Sequence, residues 1–331
     1  MPDNLFDGTH YGAQTVDAEP DRTLMLRIAH VSDTHVLSTG GVEWSKMLFN
    51  KRLTGYANLV LHRGRVHRRE YLDAVLAAAA ASADHVVVTG DITNLALESE
   101  YEEARTLLDG VARSVEVTVV PGNHDVYLPS IRRERRFPQH FRQFLQSDLP
   151  DLSLDLPAGP YPCVKLRGPA AIIALSSAVP RPPFIAAGYL GDSQLAALAR
   201  VLAHPDVAQR TPVILVHHPP VDTRICLARL RDGLLDVGAL RRTLGSVSEG
   251  LVLFGHLHVR VHCLLRTATG VLDVIGASGA ALDHPDPSVR AGFNRYEIGD
   301  DGSLIMVEAH VIDPPGITLR RTDIPQRTAC A

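Results

Sequence analysis

Five short polar runs carry residue types that could do chemistry, and each closes an apolar stretch. They are Asp33-Thr34-His35, Gly90-Asp91, Gly122-Asn123-His124-Asp125, His217-His218-Pro219-Pro220 and Gly255-His256-Leu257-His258. Carboxylate, imidazole and amide oxygen together suit hard-to-borderline ions such as Mn²⁺, Fe or Zn²⁺. A lone Gly-Asp is ordinarily a turn, and a lone Asp-x-His says little more. It is the recurrence of such runs at apolar ends that points to a shared metal site. Gly90, Gly122 and Gly255 allow the sharp turns that would bring the side chains inward.

The elements that must position these runs follow from periodicity. Buried strands are predicted over 24–31, 85–89, 115–120, 171–176, 213–216 and 251–254. Helices are predicted over 66–83, where the alanine run favours them, and over 98–108, 192–202 and 236–244. After His258 the pattern changes to strands without helices, over 259–265, 271–275, 293–298 and 304–311. Alternating strands and helices followed by a run of strands predict an α/β core of two packed sheets. In such sheets ligands gather at the carboxyl ends of strands, where the polar runs lie.

Composition narrows the class. The chain has 331 residues, 45% of them apolar and 21% charged, with a net charge of −4. That balance gives no global case for nucleic-acid binding. The cysteines, Cys163, Cys226, Cys263 and Cys330, form no Cys-x-x-Cys pair and read as reduced thiols in a cytoplasmic setting. Residues 1–22 read as a loose polar leader without the features of a signal peptide. No apolar run is long enough to cross a membrane.

The order Asp-x-His, Gly-Asp, Gly-Asn-His-Asp, His, Gly-His-x-His resembles the calcineurin-like metallophosphoesterase superfamily, in its bacterial phosphodiesterase branch. The resemblance runs from about residue 26 to residue 260. It implies a four-layer α-β-β-α sandwich of two mixed sheets, with residues 23–312 as the domain, 37–70 as a small helical cap and 313–331 as a C-terminal tail. It also implies two metal ions, Mn, Fe or Zn. Asp33, His35 and His258 would hold one, Asn123, His217 and His256 the other, and Asp91 would bridge them. His217 is preferred to His218 because the family's proline follows the ligand by two residues. His124 would face the phosphoryl group, and Asp125 would orient His124 or the local loop. Two ions about 4 Å apart lower the pKa of a bridging water and supply hydroxide for in-line attack on phosphorus. Phe293-Asn294-Arg295-Tyr296 matches the family's later Asn-containing strand more weakly.

The resemblance implies a phosphodiesterase acting on a small diester, as in the cyclic-nucleotide and glycerophosphodiester enzymes. The segment 37–70 departs from the leanest members. Lys46, Lys51, Arg52, Arg63, Arg65, Arg68 and Arg69 interleave there with Trp44, Phe49, Leu53, Tyr56, Leu59 and Leu61. Such a segment reads either as a solvated cap or as a lid for an anionic lipid or nucleotide-linked substrate, peripheral to a membrane surface. It is similar to enzymes that cleave the pyrophosphate of UDP-linked acylglucosamine, the alternative within the class. Arg132, Arg133, Arg135 and Arg136 form a second basic cluster, either steering phosphate-rich substrates or opening a solvated helix. His62 and His67 read as surface residues. From a different class, an inactive scaffold of the same fold is weighed and set aside, because every ligand type is retained. Oligomeric state is not legible, and no stable nucleic-acid partner is expected.

Overall fold

The computed structural model describes residues 25–38, 67–221 and 231–327. The leader and nearly all of the segment 37–70, His62 included, lie outside the described residues. So do Cys226 and Cys330.

The strands in chain order are β1 (Leu26–Val31), β2 (His85–Val88), β3 (Glu116–Val119), β4 (Leu154–Leu156), β5 (Gly159–Tyr161), β6 (Cys163–Arg167), β7 (Ala170–Ala174) and β8 (Thr211–Leu215). They continue with β9 (Leu251–Phe254), β10 (Val261–Arg266), β11 (Val271–Gly276), β12 (Gly292–Ile298), β13 (Leu304–Asp313), β14 (Thr318–Thr322) and β15 (Gln326–Arg327). The helices are α1 (Arg69–Ser82), α2 (Glu98–Val111), α3 (Pro129–Glu134), α4 (Arg136–Phe141), α5 (Asp192–Leu202), α6 (Pro205–Ala208) and α7 (Val237–Thr243).

Two mixed sheets form the centre. One has six strands in the order β14-β13-β12-β1-β2-β3, the other seven in the order β15-β10-β11-β9-β8-β7-β6. β1, β2 and β3 run parallel, as do β7, β8 and β9. Their carboxyl ends are where the polar runs begin.

Strand alternation explains the layering. In β8, Val213 and Leu215 join the apolar core shared with the six-stranded sheet, while Ile214 packs on the other face with α5 and α7. In β9, Leu251 and Leu253 likewise face the shared core, and Val252 and Phe254 the helices. Both faces are covered, so these strands are apolar throughout rather than alternating with polar residues. On the other sheet α1 buries Tyr71, Leu72, Val75, Leu76 and Ala79, a spacing of three and four that makes one helical stripe. The result is the four-layer α/β sandwich.

Several details differ from the sequence reading. Within 150–162, where no element is predicted above, β4 and β5 pair as a short hairpin. Residues 318–327, placed in a tail by the sequence, add strands to both sheets: β14 pairs with β13, and β15 with β10. Cys163 is free and buried, but Cys263 is disulfide-bonded, which corrects the reading of reduced thiols at that position. Among the described residues no helix is long and apolar enough to cross a membrane.

Candidate metal centre

The loops after β1 and β2 are laced together by their backbones. Asp33 N–H donates to Gly90 O (3.0 Å), His35 N–H to Asp91 O (3.0 Å) and Val36 N–H to Ile92 O (2.9 Å). Across the sandwich, Gly255 N–H donates to His217 O (3.1 Å), joining the loops after β8 and β9. Asp33, His35, Asp91, His256 and His258 all have positive φ, between 41° and 67°. Non-glycine residues rarely adopt this region, and it turns five side chains inward from strand ends. The motif glycines solve a different problem: a Cβ on Gly122 would collide with the Asp91 carboxylate, and one on Gly255 with Ser32 and Asp33.

Two groups of potential ligand atoms result. Those of Asp33, His35 and His258 lie within 4.8 Å of one another, and so do those of Asp33, Asp91 and His217. His35 Nε2 is 3.2 Å from His258 Nε2, which is 3.2 Å from Asp33 Oδ1. On the other side His217 Nε2 stands 3.2 Å from Asn123 Oδ1, 3.2 Å from His256 Nδ1 and 3.5 Å from Asp91 Oδ1. Asp91 Oδ2 is 3.9 Å from His35 Nε2, so the two oxygens of Asp91 face both groups.

The residues fit metal ions. His217 donates Nδ1–H to Thr89 O (2.7 Å), which aims Nε2 at Asn123 Oδ1, the His256 ring and Asp91 Oδ1. Carboxylate, amide and imidazole atoms that converge in this way are the donor set a divalent ion takes. Atoms about 2.1 Å from one ion sit about 3 to 3.5 Å apart, as these do. The electrostatics mark the site as anionic. Burial would lower the His217 pKa, yet the adjacent Asp91 carboxylate more than reverses this, raising it to about 9. Burial pushes the Asp91 carboxyl upward, and His217 and His124 override that push, holding it well below the usual carboxylate range. Burial, aided by His217, lowers His256 to about 4, which leaves it as the neutral imidazole a metal takes.

His218 falls within 4.8 Å of His217 and His256, but both its nitrogens are engaged elsewhere. Nε2–H donates to Ala186 O (2.7 Å), and Nδ1 accepts from Ser177 Oγ (2.8 Å). That leaves no lone pair for an ion.

His124 lies on the flank. Its backbone N–H donates to Asp91 Oδ1 (2.8 Å), its ring meets His35 edge-on at 5.0 Å, and Nδ1–H donates to Asn94 O (2.5 Å). The Asn94 turn is itself held by Glu100, whose Oε2 accepts from the backbone of Asn94, Leu95 and Leu97 at the start of α2. Asp125 acts on the local loops. Its carboxylate accepts from Ile92 N (3.2 Å), Thr93 N (2.7 Å), Thr93 Oγ1 (2.9 Å) and Gly122 N (2.8 Å), tying the loop after β2 to the loop after β3.

Other parts of the site were missed or misread in the sequence. Asn94, Thr89 and Glu100 carry no motif signal, because two of them act through backbone carbonyls and the third through a helix start. His67, read as a surface residue, is half-buried, with its ring 5.3 Å from His35 and 6.5 Å from His258. The second basic cluster is partly neutralised: Arg135 pairs with Asp155, and Arg136 with Glu134 and Glu98.

Residues 26–260 match the family described as calcineurin-like phosphoesterase, well over half of the chain. The chain belongs to the calcineurin-like phosphoesterases. It is therefore a metal-dependent phosphoester hydrolase. Two curated relatives are similar to it. A probable cyclic nucleotide phosphodiesterase of Rhodococcus erythropolis is 28% identical over 289 residues, 86% of this chain and 80% of that one. A probable glycerophosphodiester phosphodiesterase of Arcobacter nitrofigilis is 27% identical over 238 residues, 70% of this chain and 71% of that one. In fold, this calcineurin-like phosphoesterase is similar to a purple acid phosphatase from yellow lupin, Lupinus luteus. The TM-score is 0.57 at 14% identity, covering 88% of this chain and 52% of that one.

Proposed function

We propose that this phosphoesterase is a two-metal phosphodiesterase. The observation that carries the reading is the facing of two ligand groups across Asp91, with His124 beside them. Asp33, His35 and His258 would hold one ion and Asn123, His217 and His256 the other, with Asp91 shared. Mn, Fe and Zn all suit this donor set. When bound, the ions supply Lewis acidity toward the phosphoryl oxygens and lower the pKa of a coordinated water.

The remaining roles belong to the protein. The Asn94 carbonyl takes the Nδ1–H of His124, so Nε2 is the atom turned toward the substrate. In the protonated ring Nε2–H donates to the phosphoryl group or to the departing ester oxygen. Asp125 fixes the spacing of the two loops that carry Asp91 and Asn123. The names of the two curated relatives support a small diester as substrate. The basic stretch in residues 37–70 suits a lipid- or nucleotide-linked anion, although most of it lies outside the described residues. For compartment, the cytoplasmic expectation loses its thiol argument at Cys263, whose disulfide suits a less reducing setting.

Hydrolysis of bis-p-nitrophenyl phosphate against p-nitrophenyl phosphate tests the reading, in chelated and then Mn²⁺-restored protein. Faster, metal-restored cleavage of the diester is expected. A preference for the monoester would make the enzyme a phosphatase instead.

A further inference from the structure

Behind Asp33 runs a line of side chains that the chemistry above does not use. Asn294 and Tyr296 on β12, His30 and Ser32 at β1, and Thr89 after β2 are all fully buried. Asn294 Nδ2 lies 3.2 Å from Tyr296 Oη, and Tyr296 Oη 3.0 Å from His30 Nδ1. His30 Nε2 lies 2.8 Å from Thr89 Oγ1, Thr89 Oγ1 2.8 Å from Ser32 Oγ, and Ser32 Oγ 2.7 Å from Asp33 Oδ2.

The direction of donation is set from both ends. An amide NH₂ can only donate, so Tyr296 Oη accepts from Asn294, and its own hydrogen goes to His30 Nδ1. A carboxylate can only accept, so Ser32 donates to Asp33, which leaves the Ser32 oxygen to accept from Thr89. Thr89 then accepts from His30 Nε2–H. A neutral His30 with its hydrogen on Nε2 meets both demands, and burial keeps the ring neutral by lowering its pKa to about 3. Each bond polarises the next in the same sense, so the line strengthens toward Asp33.

We infer that Asn294, Tyr296, His30, Thr89 and Ser32 form a positioning relay that decides which oxygen of Asp33 is presented to a metal ion. The inference rests on the proposed role of Asp33 as a ligand. Asp33 Oδ2 is taken up by Ser32 Oγ, and the His256 N–H is shared between Oδ2 (3.0 Å) and Oδ1 (3.3 Å), so the Ser32 bond is what sets Oδ2 apart from the Oδ1 that faces His258. Thr89 sits at the junction of the two ligand groups. Its hydroxyl acts through Ser32 on Asp33, and its carbonyl holds the tautomer of His217. The relay also gives a use to the Phe293-Asn294-Arg295-Tyr296 stretch: its alternate residues Asn294 and Tyr296 point into one buried line.

The test is Mn²⁺ affinity of the metal-stripped full chain by titration calorimetry. Thr89→Val keeps the shape and removes the hydroxyl, and is expected to weaken binding about tenfold. Thr89→Ser, which restores the hydroxyl, should bind as the wild type does. Tyr296→Phe should weaken binding about threefold in the wild-type background and not at all in the Thr89→Val background, where the line is already cut. Should Thr89→Val not fold, Ser32→Ala cuts the line at its last step and replaces it. Equal effects of Tyr296→Phe in both backgrounds, or wild-type affinity in the hydroxyl-free variant, would overturn the relay. Asp33→Ala separates the two levels. Wild-type affinity there removes the ligand assignment itself, whereas loss there beside an unaffected Thr89→Val removes the relay alone.

Discussion

Two clusters of charge lie at opposite ends of the parallel strands, and they are built on opposite principles. At the amino ends, Glu116 of β3 meets Lys165 Nζ at 2.8 Å and Arg167 Nη2 at 2.6 Å, and Arg167 also holds Asp148 at 2.6 Å. Lys165 donates a further bond to Val117 O, 3.1 Å away. Each charge there has its counter-charge, and because β3 and β6 belong to different sheets the cluster pins the edges of the sandwich together. At the carboxyl ends, Asp33 and Asp91 are buried with imidazoles and an amide whose lone pairs face inward. One cluster is complete in itself. The other is complete only with a cation, and that contrast separates a stabilising device from a functional one.

Mutations at the two ends should therefore part stability from activity. The largest effect is expected for Asp91→Asn, which removes the shared carboxylate. Turnover should fall roughly a thousandfold or more. The melting temperature of the metal-free protein should also fall, since without an ion the Asp91 carboxylate and the His217 ring hold each other charged and one partner has gone. An unchanged melting temperature, measured by calorimetry after chelation, would show that this pairing adds nothing to the fold. Next is His124→Ala, which spares the ligands. Bound metal measured by atomic emission should stay at the wild-type level while kcat drops about a hundredfold or more.

The smallest effect is at the closed cluster. Glu116→Gln should cost about 1–2 kcal/mol in urea unfolding, less than a fully buried pair because Glu116 stays about a third exposed. Activity per folded molecule should not change. Its pH dependence has a defined sign. The hydrogen bond from Arg167 outweighs the upward push of burial and holds the Glu116 carboxyl near 2, against an ordinary value of 4.5. A carboxylate depressed in the folded state adds stability that is complete above the unfolded value and is lost as pH falls from there through the folded one. Wild-type and Glu116→Gln urea midpoints should thus converge as pH drops from about 5 toward 3. Parallel curves over that range would argue against an ionised Glu116 as the stabilising partner.

The two ends also differ in how far they could be read in advance. The carboxyl-end site is written in side chains, so Asp33, His35, Asp91, Asn123, His217, His256 and His258 stand out as rare residue types where strands stop. The strands and long helices were legible too, because apolar runs and three-to-four spacing are local signals. What escaped acts through the backbone or over long sequence separations. The Asn94 carbonyl on His124 could have been supplied by any residue type. The pairing of Glu116 with Lys165 joins positions far apart in the chain, with no pattern linking them. Helices α3 and α4 were legible only as one of two readings of an arginine-rich run, β14 was obscured by its polar, exposed sequence and β15 by its shortness. His67 looked like a surface residue because its neighbours are basic, whereas its own side chain turns toward His35.

The left-handed backbone at Asp33, His35, Asp91, His256 and His258 has a consequence for substitution tolerance. At each position the folded chain keeps a side chain where glycine would be more at ease, at a cost of about 1 kcal/mol or more apiece. A lineage released from the need for catalysis would gain robustness by drifting toward glycine or asparagine there. A library screened for solubility alone should drift the same way, and one screened for turnover should refuse to. The two screens together would therefore read use directly from the backbone.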